Sequence, residues 1–306
     1  MAATLNKTED EITREVVDQY ERTPDPRLQR IMTALVRHVH EFAREVELTE
    51  REWFKAIDYM TRTGQMCSDT RQEFILLSDV LGVSMLVDLI NHRKPAGLTE
   101  STVLGPFFAH SAPELPYGGN IAPKDPGIPT FFHGHIIGAD GKPIGGAVLN
   151  VWQTGSDGFY DVQKPETTES HMRGRFRSEP DGAFLVRTVR PVSYPIPLDG
   201  PVGELMGAAG RQPKRPAHTH FMVAAPGYET LITHLFDAAD EYLNHDPVFA
   251  VKDSLVCTFS RHDEAVPGRD FGVAAPFYTL ERDFVMQPMA EGKVSAGPTW
   301  AARSAA

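Results

Sequence analysis

The hydrophobic periodicity changes once along this chain of 306 residues, near residue 100. Before that point, apolar residues recur at the spacing of an amphipathic helix, as in Leu28, Ile31, Leu35 and Val39. After it, short runs of β-branched and aromatic residues alternate with segments rich in proline and glycine, which is typical of strands joined by turns. Because the helices precede the strands as one block, the order favours an α+β chain over an alternating parallel sheet.

The first part of the chain carries several helix signals. Asp25 followed by Pro26 predicts the start of one helix, and Thr49 with Glu52 forms a possible capping box for the next. The segment over residues 69–90 is apolar on most sides, so we expect it to be buried or shared with a partner. We predict a helical linker and dimerisation domain over residues 1–99.

The remainder of the chain predicts an all-β sandwich over residues 100–290, followed by a loosely ordered tail over residues 291–306. Asp140 and Gly141 form a hairpin-turn signal between the first two strand-like runs. Six runs have the length and composition of strands: FFHGHIIG, AVLNVWQT, GAFLVRTV, HTHFMVAA, TLITHLF and DSLVCTF.

Composition excludes several classes of function. The chain has 30 Lys and Arg residues against 41 Asp and Glu, a net charge of −11, which opposes nucleic-acid binding. It lacks an apolar run of about 18 residues, so we expect no membrane span. It also lacks a secretory signal and a disulfide framework, which predicts a cytoplasmic setting. No glycine-rich phosphate loop stands at a strand–helix junction, so no nucleotide cofactor is expected.

The candidate metal ligands begin with His218 and His220, two residues apart in a predicted strand. Side chains at that spacing project from the same face, so both imidazoles can meet one metal ion. The same spacing occurs in two further pairs: His133 with His135, and His38 with His40. Spacing alone therefore leaves three pairs open.

Two tyrosines, Tyr160 and Tyr194, lie in loops rich in glycine and proline. Each could be a turn residue whose ring packs on the sheet edge. Alternatively, two phenolates and two neutral imidazoles form a set that suits iron(III) better than iron(II) or zinc. A tyrosine has a free pKa near 10, so only a strong Lewis acid keeps it ionised at neutral pH. The set also differs from the two-histidine, one-carboxylate triad of iron(II) oxygenases.

Four segments make the chain resemble the intradiol ring-cleavage dioxygenases: LGPFF (104–108), VWQTGSDGFYDVQ (151–163), YPIPLDGPVG (194–203) and RPAHTHFMVAAPGYETLITHLF (215–236). The resemblance covers about residues 5–290. It implies a homodimer formed by the helical domain, in some members with a phospholipid at the interface. It also implies a β-sandwich that holds one iron(III) ion per subunit, with an aromatic diol or triol and O2 as substrates.

The resemblance also assigns roles residue by residue. The metal ligands fall on Tyr160, Tyr194, His218 and His220, and the catalytic positions on Arg215 and Tyr194. By the same comparison, the two other histidine pairs are not ligands. The substrate pocket falls on Leu76, Asp79, Val103, Leu104, Gly105, Pro106, Phe107, Ile196, Pro197, Arg215, His234 and Val248.

The substrate expectation rests on one departure from the catechol-cleaving members, at His234, and on likeness to the members that open hydroxyquinol. The catechol-cleaving members usually carry glutamine where this chain has His234. Members that open hydroxyquinol (benzene-1,2,4-triol) resemble this chain there and in VFAVKDSLV (248–256). The resemblance thus implies cleavage of hydroxyquinol by O2 to 3-hydroxy-cis,cis-muconate and maleylacetate. Cleavage of catechol or chlorocatechol to cis,cis-muconates remains an alternative.

Two other classes of protein also use residues of these kinds. A zinc or iron(II) hydrolase could use the same histidines, although no carboxylate ligand stands near them in sequence. A non-enzymatic sandwich of transthyretin-like shape could use the tyrosines and histidines as packing residues. Both predict a colourless protein, whereas an iron(III)–tyrosinate protein is red-brown.

Overall fold

The computed structural model describes residues 7–68, 71–93, 95–164, 171–266 and 271–290. The chain divides into two compact units, Met1–Arg62 and Thr63–Ala306. The tail expected over residues 291–306 lies outside the described residues. The boundary expected at residue 99, between a helical domain and the sandwich, stays a prediction. The compact units divide earlier in the chain, so the larger unit also includes helices that precede residue 99.

The smaller unit is helical, with α1 (Glu9–Tyr20), α2 (Pro26–Glu45) and most of α3 (Glu50–Gln65). The predicted caps are confirmed. Asp25 accepts the backbone N–H groups of residues 27 and 28 at 2.7 and 3.0 Å. Thr49 and Glu52 exchange side-chain to backbone bonds of 3.0 and 3.3 Å.

One face of α2 carries large apolar side chains that stay exposed. They recur every three or four residues, and each is 44% to 56% exposed, although such a stripe normally covers a core. The members of this stripe, called the α2 stripe below, are Leu28, Ile31, Leu35, Val39, Phe42 and Val46.

The larger unit contains α4 (Glu73–Val80), α5 (Val83–Asn91) and α6 (Pro201–Ala208). The apolar segment over residues 69–90 thus supplies two helices. The two helices are separated at Gly82, whose φ of 74° is a left-handed conformation that glycine adopts without a side-chain clash.

Most strands of the larger unit lie in two five-stranded sheets. The first contains β1 (Pro129–Gly138), β4 (Ala183–Val189), β10 (Ser260–His262), β11 (Phe277–Glu281) and β12 (Phe284–Met286). The second has the order β3 (Arg173–Arg177), β2 (Val148–Trp152), β7 (His218–Ala224), β8 (Leu231–Asp237), β9 (Val256–Cys257). A short ladder pairs β5 (Tyr194–Pro195) with β6 (Lys214–Arg215).

The two sheets enclose a common apolar core, which confirms the sandwich. Phe221 of β7 meets Phe132 of β1 and Phe284 of β12, with ring centroids 5.4 and 5.0 Å apart. The strand β7 lies in the middle of its sheet, between β2 and β8. Side chains on β7 are therefore held by a partner strand on both sides.

The turn predicted at Asp140 and Gly141 forms, but it does not pair the first two predicted strands as a hairpin. Gly141 has a φ of 77°, and the Gly138 N–H donates to the Lys142 carbonyl at 2.8 Å. The flanking strands β1 and β2 nevertheless belong to different sheets. The turn therefore closes a small local hairpin before the chain crosses the sandwich.

Among the described residues, no helix combines the length and apolar character needed to cross a bilayer.

Candidate metal centre

His218 and His220 project from the same face of the central strand β7. Their Nε2 atoms are 3.2 Å apart. The ring of His218 is oriented by its Nδ1 atom, which lies 2.6 Å from the Pro216 carbonyl oxygen. Because that contact requires an N–H at Nδ1, the tautomer leaves the Nε2 lone pair directed into the site.

Two phenol groups complete the arrangement. The Tyr160 oxygen lies 2.9 Å from His220 Nε2 and 3.0 Å from the Tyr194 oxygen. The Tyr194 oxygen lies 3.4 Å from His218 Nε2. Together with the contact between the two imidazoles, these distances close a ring of four donor atoms, called the donor ring below.

The loop after β2 holds Tyr160 by interactions on both sides of the residue. The Tyr160 N–H donates to the Gln163 side chain at 2.9 Å, and Asp161 forms a buried ion pair with Arg173. Arg173 also donates to the Phe107 carbonyl at 3.3 Å, and the Phe107 ring stacks on Tyr160 at 4.4 Å. The phenol therefore cannot swing away without breaking a buried ion pair.

The short β5–β6 ladder positions Tyr194. In this ladder Tyr194 is the direct partner of Arg215. The guanidinium of Arg215 reaches the donor ring, because its Nη1 atom lies 3.1 Å from His218 Nε2. The ladder therefore positions both the Tyr194 phenol and the permanently charged Arg215 guanidinium at the donor ring.

The electrostatics of the donor ring favour neutral side chains. Burial raises the pKa of both phenols, and for Tyr160 the neighbouring Tyr194 adds to the effect. Burial and the charge of Arg215 lower the pKa of His218, and burial with the neighbouring histidines lowers the pKa of His220. The imidazoles are therefore neutral, and the phenols ionise only beside a strongly positive ion.

The spacing of the donor ring fits a single metal ion. Its neighbouring atoms are 2.9 to 3.4 Å apart. A metal bound to imidazole nitrogen at about 2.0–2.1 Å places adjacent donor atoms about 3 Å apart. Two oxygens and two nitrogens at this spacing are compatible with a transition metal in a closed, buried site.

His234 lies directly beside the donor ring. It is the cross-strand partner of His220, and its ring centroid lies 4.0 Å from that of His220 and 4.9 Å from that of His218. The nitrogens of the three imidazoles lie within 4.8 Å of one another. The His234 side chain is fully buried, and burial with the neighbouring His218 lowers the pKa of its imidazole, against a hydrogen bond with the Val103 backbone.

The pocket residues named from the sequence fall into two apolar clusters. Leu76, Val103, Ile196 and Val248 pack in one cluster. The other cluster places Leu104 and Phe107 against Trp152, Tyr160 and Tyr194.

Three pocket residues come from the backbone turn that precedes Phe107 and from the loop after Tyr194. Gly105 has a φ of 76°, and a Cβ atom there would lie 3.4 Å from His220 Cε1, so the loop runs against the donor ring. Pro106 and Pro197 are half-buried beside Phe107 and Ile196.

Asp79 is a buried acid in this otherwise apolar surrounding. Its Oδ1 atom has no hydrogen-bond partner, and burial raises the pKa of the carboxyl to about 6. Ser84 and the positive charge of Arg215 work in the opposite direction, toward the ionised form. Asp79 is thus a polar group in the field of Arg215 with an unused acceptor.

The two other histidine pairs lie elsewhere. His133 and His135 are on β1 in the opposite sheet, and His135 is half-exposed beside Asp283. The third pair belongs to α2, where His38 faces Glu41 and His40 contacts Thr13. Neither pair lies beside the donor ring as His234 does.

Sequence reasoning missed several supports of the donor ring. Trp152 stacks on His220 at 4.7 Å, and the Asp161–Arg173 pair secures Tyr160. Asp246 binds the guanidinium of Arg215. Trp152 could have been found from the register of a strand beside the histidine strand, but the acids carry no local pattern.

The fold and this site define a class: a helical region joined to a β-sandwich whose central strand and loops bring two tyrosines and two histidines together, an arrangement compatible with a metal site. Comparisons with known proteins agree. The dioxygenase family model matches residues 103–288, and the model described as catechol dioxygenase N terminus matches residues 25–99.

Individual relatives cover almost the whole chain. The 6-chlorohydroxyquinol 1,2-dioxygenase of Cupriavidus pinatubonensis is 50% identical over 277 residues, which is 90% of this chain and 96% of that protein. The crystal structure of hydroxyquinol 1,2-dioxygenase from Pseudomonas putida superposes with a TM-score of 0.85 at 48% identity, covering 92% and 99% of the two chains. Catechol 1,2-dioxygenase from Pseudomonas arvilla gives a TM-score of 0.82 at 29% identity, covering 96% and 97%.

The chain belongs to the intradiol ring-cleavage dioxygenase family. It is therefore an enzyme, and the family and fold predicted from the sequence are confirmed. The alternatives of a non-enzymatic sandwich module and of a hydrolase are wrong.

Proposed function

We propose that this protein cleaves the ring of hydroxyquinol between its adjacent hydroxyl-bearing carbons and incorporates both atoms of O2. The product is 3-hydroxy-cis,cis-muconate, which tautomerises to maleylacetate. The metal is one iron(III) per subunit, bound by Tyr160, Tyr194, His218 and His220. The observation that carries the proposal is the donor ring, whose four atoms are 2.9 to 3.4 Å from their neighbours.

The identity of the metal follows from the chemistry of the donor ring. Two phenolates are hard, negatively charged donors, and the neutral imidazoles add no charge. A trivalent ion is the best match, because it stabilises phenolates whose pKa burial has raised. The chemistry that iron(III) supplies when bound is Lewis-acid activation of a chelated diol toward O2.

Tyr194 is the proton acceptor in this proposal. Its oxygen makes the longest contact of the donor ring, 3.4 Å to His218. When a diol enters, the Tyr194 oxygen takes up the proton of one hydroxyl. Tyr160 keeps its place because Phe107 and the Asp161–Arg173 pair hold it.

Arg215 stabilises the negative charge that the diol acquires when Tyr194 takes up the proton of one hydroxyl. Its guanidinium lies at the donor ring, is buried, and stays charged at any pH at which the enzyme folds. A fixed positive charge in a site that excludes water stabilises an oxyanion far more than the same charge in solvent.

Apolar walls and one acid select the substrate. Leu76, Val103, Ile196 and Val248 supply the apolar surface that a planar ring requires. The unused Oδ1 atom of Asp79 accepts a hydrogen bond from the third hydroxyl of hydroxyquinol, which catechol lacks. The buried imidazole of His234 lines the same side of the site as the histidine pair.

Oxygen uptake tests the proposal. Purified protein is supplied in parallel with hydroxyquinol, catechol and chlorocatechols, and the iron content and visible spectrum are recorded. We expect a red-brown protein whose kcat/KM is highest for hydroxyquinol. A colourless protein that contains iron would exclude the tyrosine ligands, and a higher kcat/KM for catechol would exclude the proposed substrate.

We also propose that the protein is a homodimer formed by the helical region, and that its interface accommodates a phospholipid acyl chain. The support is the α2 stripe, six large apolar side chains that are each about half exposed in the single chain. A patch of this kind marks an interaction surface. Light scattering gives the oligomeric state, and mass spectrometry of an organic extract detects the lipid.

Cys67 and Cys257 are both free, which supports the proposal of a reducing cytoplasmic compartment.

A further inference from the structure

Arg215 is held by a partner that sequence reasoning did not reveal. The Asp246 carboxylate accepts Arg215 Nε at 3.0 Å through Oδ1 and Arg215 Nη2 at 3.2 Å through Oδ2. Both side chains are buried, with exposures of 5% for Arg215 and 2% for Asp246. Water therefore cannot substitute for either partner.

The pairing determines which donors of the guanidinium remain free. Arginine has five N–H donors in one plane, and a carboxylate bound along one edge uses two of them. Asp246 takes the Nε and Nη2 edge. The Nη1 atom is left at the donor ring, 3.1 Å from His218 Nε2.

Asp246 is itself fixed by the backbone that follows it. Its Oδ1 atom accepts the N–H of Val248 at 3.3 Å, and its Oδ2 atom accepts the N–H of Ala250 at 3.0 Å. The carboxylate therefore makes four hydrogen bonds and cannot rotate independently. The same turn supplies Val248 to the apolar wall of the proposed pocket.

We propose that Asp246 is a positioning residue: it fixes the plane of the Arg215 guanidinium so that Nη1 faces the metal centre, and it couples that group to the pocket wall at Val248. This inference rests on the proposed function, in which Arg215 stabilises the deprotonated diol. Asp246 does not touch the substrate. Its effect on the reaction passes entirely through Arg215.

A double-mutant cycle tests the proposal, with Asp246→Asn and Arg215→Met made singly and together. We expect Asp246→Asn alone to lower kcat about 10- to 100-fold, the range found when an outer-shell partner of a metal site is removed, while KM changes little. In the Arg215→Met background, Asp246→Asn should lower kcat by less than about twofold, because the effects of residues that act as a unit are not additive.

A second readout does not depend on turnover. Hydroxyquinol is titrated into each iron-loaded variant without oxygen, and the shift of the visible tyrosinate band reports binding at the metal. Asp246→Asn should change the position of the band in the substrate complex when Arg215 is present and leave it unchanged in the Arg215→Met background.

The matched control is Asp237→Asn. Asp237 forms a similar but half-buried ion pair with an arginine, through Arg190 Nε and Nη2 at 2.8 and 2.6 Å, and it also caps a backbone N–H. The Asp237→Asn substitution should lower the melting temperature without changing kcat or the position of the visible band in the substrate complex. The control thus separates loss of an arginine–aspartate ion pair from loss of guanidinium orientation at the donor ring.

Two results would overturn the proposal: a kcat for Asp246→Asn within about twofold of the parent, or an equal loss in the presence and absence of Arg215. If the asparagine variant does not fold, Asp246→Glu replaces it in the cycle, and the same two results count against the proposal. A parent protein that does not cleave hydroxyquinol would instead refute the proposed function, so the two failures are distinguishable.

Discussion

The two tyrosines of the donor ring have different surroundings, and we expect different behaviour from them. Tyr160 is fully buried and is stacked by Phe107, and its neighbour Asp161 is paired with Arg173. Tyr194 sits on a two-residue strand and makes the longest contact of the ring. A ligand that must exchange a proton with the substrate requires such freedom, whereas a permanent ligand requires restraint.

Replacing Tyr194 by Phe should weaken the visible tyrosinate-to-iron band and lower kcat by at least about 100-fold, because the ring loses both a ligand and a proton acceptor. Absorption spectra and oxygen uptake at equal iron content measure both effects. Tyr278→Phe is the matched control, since Tyr278 is another buried tyrosine that contacts an arginine, at 2.9 Å. An unchanged band in Tyr194→Phe would remove Tyr194 from the ligands.

Asp79 should determine the preference between a triol and a diol. Asp79→Asn should lower the ratio of kcat/KM for hydroxyquinol to that for catechol by about tenfold or more, because a hydrogen bond to a charged acceptor contributes about 1.5–3 kcal/mol. Asp88→Asn controls for the loss of a buried helical acid. Asp88 lies on α5, and its carboxylate is paired with Lys252 and His92. An equal ratio in parent and Asp79→Asn would leave Asp79 without a role in specificity.

At the scale of elements, local patterns in the sequence predicted what local interactions decide. The helix caps at Asp25 and Thr49 form as expected, because each requires only neighbours within four residues. The six predicted strand runs overlap β1, β2, β4, β7, β8 and β9. Gly82 divides the apolar segment over residues 69–90 into two helices, a break that the sequence analysis did not predict because the segment is apolar throughout.

The strands that sequence reasoning missed are short or depend on distant partners. β5 and β6 have two residues each, and their pairing joins Tyr194 to Arg215 across an intervening helix. β11 and β12 pair in parallel with β1, far earlier in the chain. No periodic signal specifies such contacts, because they are decided by how the sheets close.

The α2 stripe leads to a prediction about assembly. Leu35→Asp places a charge in the centre of the stripe and should shift the protein from dimer to monomer at micromolar concentration, because an unpaired charge is costly in an apolar interface. Arg37→Asp adds an acid on the opposite face of the same helix and should leave the dimer intact. Light scattering of both variants measures the result, and a dimeric Leu35→Asp would place the interface elsewhere.

At the scale of the whole molecule, the donor set was predictable from sequence only with the family resemblance, because three His-x-His pairs satisfied the spacing rule. Once named, the four side chains prove to lie within contact distance. The partner of Arg215 was not predictable, since Asp246 lies 31 residues away in a loop with no motif. Long-range polar pairs are determined by the final packing, which a local pattern does not encode.

Metal removal should affect the stability of the larger unit. An ion whose free concentration is 100 times its Kd stabilises the native state by about 2.7 kcal/mol. Chelation should therefore lower the melting temperature, and added iron should restore it. His218→Ala should abolish the restoration, whereas His135→Ala, a half-exposed histidine on β1, should retain it. A melting temperature that does not respond to iron in the parent would contradict a metal centre at this position.

The donor ring gathers side chains from three separate parts of the chain: the loop at Tyr160, the short strand at Tyr194 and the central strand at His218 and His220. One ion bound to all four would act as a cross-link, closing loops of 34 and 24 residues between successive ligands. Such a link restricts the unfolded chain in the manner of a disulfide, and its contribution grows slowly with loop length. Such an ion would then also lower the susceptibility of these loops to proteolysis.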